Sequence, residues 1–254
     1  MHFDILTLFP EMFTGPLSVS IIGKARERGL LSVDIWNIRD YAQNKHKTVD
    51  DTPYGGGAGM VLRPDVLVRA IEAVRGDSRT PVIYLSPQGR VFNQELAAEL
   101  ATMPRLILLS GHYEEIDERV REKWVDWELS IGDYVLTGGE LPAMVVVDAV
   151  ARLLPGVLGD ESSSQTDSFQ DGLLDYPQYT RPASFRNMEV PEVLLSGHHE
   201  KIRRFRLKEA LRRTLLRRPD LLERRTLSKE ERQLLEELVQ EHSCEGRVNT
   251  NEPN

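Results

Sequence analysis

Three times between positions 81 and 154, a short apolar run is followed by a loop rich in Gly, Pro and Ser and then by a stretch with helical spacing. The runs at 81–85, 106–109 and 127–131 read as buried strands, and helices are expected at 93–101, 116–123 and 144–154. Strand, loop and helix in repeated succession imply a parallel α/β sheet whose loops lie along one edge. Loops 86–89, 111–114 and 131–142 are thereby brought together beyond the carboxyl ends of the strands, where such sheets bind ligands.

The third loop carries most of the information. Residues 130–142 read Ser-Ile-Gly-Asp-Tyr-Val-Leu-Thr-Gly-Gly-Glu-Leu-Pro. Gly132, Gly138 and Gly139 let the backbone approach a ligand with no Cβ in the way, and Pro142 fits the first turn of a helix. An ordinary turn between two core elements is the alternative. A second glycine-rich stretch, 52–60, lacks the Lys-Ser/Thr of a phosphate-binding loop, which argues against a nucleoside triphosphate; it reads as a sharp backbone turn or as a flexible linker. Upstream, strands are expected at 3–9 and 31–38 and helices at 17–28 and 62–74.

Charge is unevenly spread. The chain of 254 residues carries −8, yet between Glu200 and Lys229 twelve bases face four acids, a local +8 that leaves −16 for the rest. An acidic body with a basic C-terminal segment is the asymmetry of a protein that meets phosphates in one place. That segment reads as a basic helix over 198–218 stopped by Pro219, then a capping box at Ser228-Lys229-Glu230-Glu231 starting a helix to about 241, then a disordered tail. Residues 160–172 read as a flexible linker. No secretory leader or membrane-spanning run is evident, and the single cysteine, Cys244, cannot form an internal disulfide, so a cytoplasmic setting is expected.

The segments at 50–57, 84–89, 111–114, 130–142 and 174–182 together resemble the bacterial tRNA (guanine-N1)-methyltransferases, which are knotted SPOUT methyltransferases. The resemblance runs in order from the first strand to the last helices. It implies an α/β fold: a SPOUT-type parallel sheet with a deep trefoil knot at 1–159, a catalytic loop at 160–172, and a small all-helical tRNA-binding domain at 173–254. It also implies that S-adenosylmethionine binds at Leu85, Ser86, Pro87, Gly111, Tyr113, Ser130, Ile131, Gly132, Tyr134, Leu136, Gly138, Gly139 and Pro142. The chain departs from the family pattern at Glu115, where Gly is common.

The implied reaction methylates N1 of guanosine-37, just 3′ of the anticodon. N1 of neutral guanine carries a proton, so a general base is needed. The family's aspartate falls on Asp167, which by itself could equally be a solvated loop acid or a helix cap, and its arginine on Arg152, otherwise a common helix-end residue. Family use of Mg²⁺ would fall on Glu114. Asp175, Arg181, Arg203 and Arg206 are the implied contacts to the tRNA anticodon arm, and the implied assembly is a homodimer with each site at the subunit interface. His112 also invites reading as a base, although a histidine between Gly and Tyr more often packs or hydrogen-bonds. The rival readings are a SPOUT enzyme acting on another RNA position or a ribose oxygen, and a non-catalytic RNA-binding protein.

Overall fold

The computed structural model of the chain describes residues 1–159 and 167–248, with side chains to residue 241. Residues 160–166 of the expected linker and the end of the expected tail, 249–254, lie outside the described residues. The chain divides into two compact units, Met1–Glu161 and Ser162–Asn254.

In chain order the first unit comprises β1 (His2–Thr7), a 3₁₀ turn (Pro10–Phe13), α1 (Ser20–Glu27), β2 (Ser32–Asn37), β3 (Asp50–Asp51), β4 (Val61–Leu62) and α2 (Pro64–Arg75). There follow β5 (Val82–Val91), α3 (Gln94–Ala101), β6 (Arg105–Ser110), β7 (Glu115–Ile116), α4 (Glu118–Trp124), β8 (Trp127–Ser130) and α5 (Glu140–Ala151). The central sheet is parallel, in the order β2-β1-β6-β5-β8.

Side-chain alternation along these strands makes two cores. Phe3, Ile5, Ile83, Leu85, Leu106 and Leu108 face one layer with Val146, Val147 and Val150 of α5. Leu6, Val82, Tyr84, Ile107 and Leu109 face the other with Val66, Leu67 and Ile71 of α2 and Val120 of α4. Burial on both faces explains why the strands read as continuous apolar runs, each Leu or Ile contributing about 2 kcal/mol. Helix starts follow local chemistry: the Asn93 side chain accepts from the Leu96 amide at 2.9 Å, capping α3.

The strand expected to end at 85 does not. β5 leaves its ladder with β8 after Leu85 and rejoins it at Arg90, opposite Leu129, so 86–89 is an excursion within one strand. The glycine run at 55–59 makes the sharp turn: Gly55, Gly56, Gly57 and Gly59 take positive φ at the tip of the antiparallel β3–β4 pair, where Asp50 faces Leu62 and Asp51 faces Val61.

The second unit has its own small core of Leu173, Ala210, Leu211, Leu234 and Leu238. Its helices among the described residues are α6 (Glu192–Leu195), α7 (His199–Arg217), α8 (Pro219–Glu223) and α9 (Lys229–Val248). The expectation of an all-helical segment is corrected by an antiparallel pair, β9 (Ser184–Phe185) and β10 (Met188–Glu189). Arg186 and Asn187 both take positive φ, 51° and 64°, as a tight hairpin turn requires. The capping box forms: the Glu231 amide donates to Ser228 Oγ (3.2 Å) and the Ser228 amide to Glu231 Oε2 (2.7 Å). α9 continues past 241, to Val248.

Candidate functional site

β6, β5 and β8 are adjacent and parallel, so the segments at their carboxyl ends converge on one edge of the sheet. A cavity of about 120 Å³ opens there. Its lining includes Leu85, Ser86 and Pro87 from the β5 excursion, Gly111 and Tyr113 after β6, and Ser130, Ile131, Gly132, Tyr134, Leu136, Gly138, Gly139 and Pro142 after β8. All thirteen positions singled out in the sequence surround it. Apolar side chains and glycines share its lining with polar groups, among them His112, Glu114 and Glu115, a composition suited to a flat, partly polar ligand.

Close packing fixes the third loop. The Gly139 amide donates to Gly111 O at 2.9 Å, and a Cβ on Gly139 would lie 2.6 Å from Ser110 Cα. Backbone cannot swing aside, so only glycine fits. Gly132 holds φ at 145°, its amide donating to Ser130 Oγ at 3.2 Å. Tyr113, at φ 64°, is a bulky residue in the left-handed region, a strain of the order of 1–3 kcal/mol that clusters at functional sites.

Behind the loops sits a buried polar cluster with no sequence signal beyond a Thr in a strand and a Glu at a helix start. Glu140, 1% exposed, accepts from Thr7 Oγ1 at 2.7 Å, and its other oxygen lies 2.9 Å from His112 Nε2. The His112 ring packs at 4.7 Å from that of Phe9. His112 therefore ties the loop after β6 to the start of α5. Glu114 packs against Gly59, its amide donating to Met60 O at 3.1 Å. The departing residue, Glu115, accepts from Tyr84 and Gln88. Burial, and then the bond to Glu115, raise the Tyr84 hydroxyl well above the ordinary phenol value, so it stays a donor.

Arg152 stands at the C-terminal end of α5 in the first unit, its amide donating to Asp148 O. Asp167 belongs to the second, where its carbonyl accepts from the Gln170 amide at 3.2 Å and it lines a cavity of about 400 Å³ with Asp171, Asp175, His199, Arg203 and Arg206. Asp175 Oδ1 is buried there with no partner among the described residues. Arg206 stacks over Tyr176 at 4.9 Å and also lines a second cavity with Tyr179 and Arg181. The basic helix is partly neutralised, by Glu200 in its own first turn and by α9: Arg203 pairs with Glu200 and Glu230, Arg204 with Glu237, and Arg212 with Glu241.

Among the described residues the group that could ligate a metal is His2, Asp4 and Asp34, which does not include Glu114. Asp4 is occupied by Arg105 Nε at 2.8 Å and Trp36 Nε1 at 2.7 Å.

A family profile described as tRNA (Guanine-1)-methyltransferase TrmD matches residues 1–224. The chain belongs to the tRNA (guanine-1)-methyltransferase family. It is 61% identical over 239 residues to the tRNA (guanine-N(1)-)-methyltransferase of Syntrophomonas wolfei, covering 94% of this chain and 97% of that protein. It is 61% identical over 241 residues to that of Moorella thermoacetica (94% and 96%) and 58% identical over 245 residues to one from Dehalococcoides mccartyi (96% and 99%). Near-complete coverage of both partners means that members of this methyltransferase family align with both units of the chain. No helix among the described residues is long and apolar enough to cross a membrane.

Proposed function

We propose that this chain transfers the methyl group of S-adenosyl-L-methionine to N1 of guanosine-37 in tRNA. The observation that carries the reading is the convergence, in a chain of this family, of thirteen candidate residues from three loops on one cavity at the sheet edge. In this reading the Gly111, Gly138 and Gly139 backbone reads the polar edge of the adenine, while Leu85, Pro87, Ile131 and Leu136 cover its faces. The loop after β8, tucked against Ser110 and Gly111, is the crossing of a trefoil knot.

The sulfonium, when bound, supplies an electrophilic methyl group. The Asp167 carboxylate takes the N1 proton as the N1–CH₃ bond forms and the S–CH₃ bond breaks. Charge moves toward O6 of the guanine as that proton leaves, and the Arg152 guanidinium stabilises it. Asp175, Arg181, Arg203 and Arg206 face the anticodon arm, phosphate contacts supplying affinity and position. Residues 1–159 act as the cofactor domain, 160–172 as the catalytic loop and 173–254 as the tRNA-binding domain.

The active assembly is a homodimer in which each site combines the cofactor domain of one protomer with the catalytic loop and C-terminal domain of its partner. Leu141 and Val145 of α5 are exposed apolar side chains, as are Phe9 and Met12, and such an interface would cover side chains of this kind. Among the described residues Glu114 stands outside a ligand cluster, so the donor set there does not by itself fit a resident Mg²⁺ and no step is assigned to one. Asp167→Asn is expected to retain S-adenosylmethionine binding and lose methyl transfer; undiminished single-turnover transfer would remove Asp167 from its role.

A further inference from the structure

Where β5 leaves its ladder with β8, the pairing that would fix residues 86–89 is interrupted, yet Ser86 and Pro87 form a wall of the cavity. A closed ring of side chains holds this segment. The Gln88 amide uses both ends, Nε2 donating to Glu115 Oε1 at 3.1 Å and Oε1 accepting from Arg121 Nη2 at 2.7 Å. Arg121 Nη1 stands 3.7 Å from Glu115 Oε1, completing the ring, and Arg121 Nε donates to Glu128 Oε1 on β8 at 2.8 Å. From the other carboxylate oxygen, Glu115 accepts the Tyr84 hydroxyl at 2.5 Å. That hydroxyl lies 2.7 Å from where a Cβ on Gly111 would be, so the Tyr84 ring also backs the loop after β6. Glu115 thus links β5, β7 and α4 directly, and β8 through Arg121. The Arg121 side chain is only 15% exposed and that of Glu115 28%, which strengthens their attraction relative to a surface pair.

We propose that Glu115 is a positioning residue of the ligand cavity, holding residues 86–89 and the Tyr84 ring in their ligand-ready arrangement before the ligand enters. This deepens, and rests on, the reading of the cavity as the S-adenosylmethionine site. Its contribution is pre-organisation: a wall already in place removes an ordering cost from binding.

The test uses the full chain with Glu115→Ala, Glu115→Gln and Tyr84→Phe. Three quantities are measured: hydrogen exchange of residues 86–91 without ligand, the Kd for S-adenosylmethionine by calorimetry, and the Kd for tRNA. Glu115→Ala and Tyr84→Phe are expected to speed exchange at 86–91 and to weaken S-adenosylmethionine binding about tenfold with the tRNA Kd unchanged. Glu115→Gln, which still accepts a hydrogen bond, is expected to recover much of the loss. Tyr84→Phe removes one oxygen and guards against a folding failure in the alanine variant. Unchanged exchange, or a Kd within about twofold of the parent, overturns the role of Glu115 while leaving the cavity assignment intact. Failure of the parent protein itself to bind S-adenosylmethionine overturns the cavity assignment and this proposal with it.

Discussion

Glu140→Ala tests whether the buried cluster behind the cavity holds the loops together. Its removal takes the acceptor from the Thr7 hydroxyl, on a residue with no exposed surface, and the partner from His112 Nε2, which keeps some access to water. A buried hydroxyl proton left without an acceptor costs about 1–3 kcal/mol and a partly accessible ring nitrogen about 1 kcal/mol. Losing the packed stem of the side chain adds about 1 kcal/mol. The sum is about 3–5 kcal/mol. Thr7→Val, which keeps the volume but removes both the donor to Glu140 and the acceptor of the Phe9 amide, is expected to cost about 1–3 kcal/mol. Urea denaturation followed by tryptophan fluorescence is the assay, because Trp36, Trp124 and Trp127 all lie in the first unit and report its unfolding alone. The midpoint should fall with the slope unchanged. A loss below about 1 kcal/mol for Glu140→Ala would show that this cluster does not hold the loops together.

In the second unit, Ser228→Ala is expected to cost about 1 kcal/mol by circular-dichroism-monitored unfolding, since it removes the cap of α9. Burial would raise Glu231, but the Ser228 amide and the Arg225 guanidinium outweigh it and hold its carboxyl below the ordinary glutamate value. Its contribution is therefore complete above that value and lost as the pH falls through the lower folded one, so the penalty of Glu231→Gln should shrink toward zero in acid; a penalty independent of pH would contradict this. On the basic helix, Arg206→Glu is expected to weaken tRNA binding and reduce its salt slope more than Arg203→Glu, because Arg203 is already paired with two glutamates while Arg206 lies at two cavities. Equal slopes for the two variants would count against that ranking.

The parallel sheet was legible because two-sided burial writes strands as apolar runs and loops as Gly, Pro and Ser. The cavity was legible for the same reason, since loops after parallel strands must share an edge. Short-range chemistry was readable too, as the capping box at Ser228 shows. What failed was whatever depends on a distant partner. Ser-Pro-Gln-Gly reads as the end of a strand, yet β5 resumes at Arg90 because β8 offers a ladder there. Thr7 and Glu140 are 133 positions apart, and neither says in sequence that it needs the other. The run of bases over 203–212 reads as free positive charge until α9 supplies Glu230, Glu237 and Glu241. The two-residue strands β3, β4 and β7 are too short to leave any period at all.

The most direct test is to incubate the protein with unmodified tRNA and S-adenosylmethionine labelled in its methyl group, then map the labelled nucleotide and atom. A single label is expected, on N1 of the guanosine immediately 3′ of the anticodon. Label on another nucleotide, on a ribose oxygen, or on no RNA at all would contradict it.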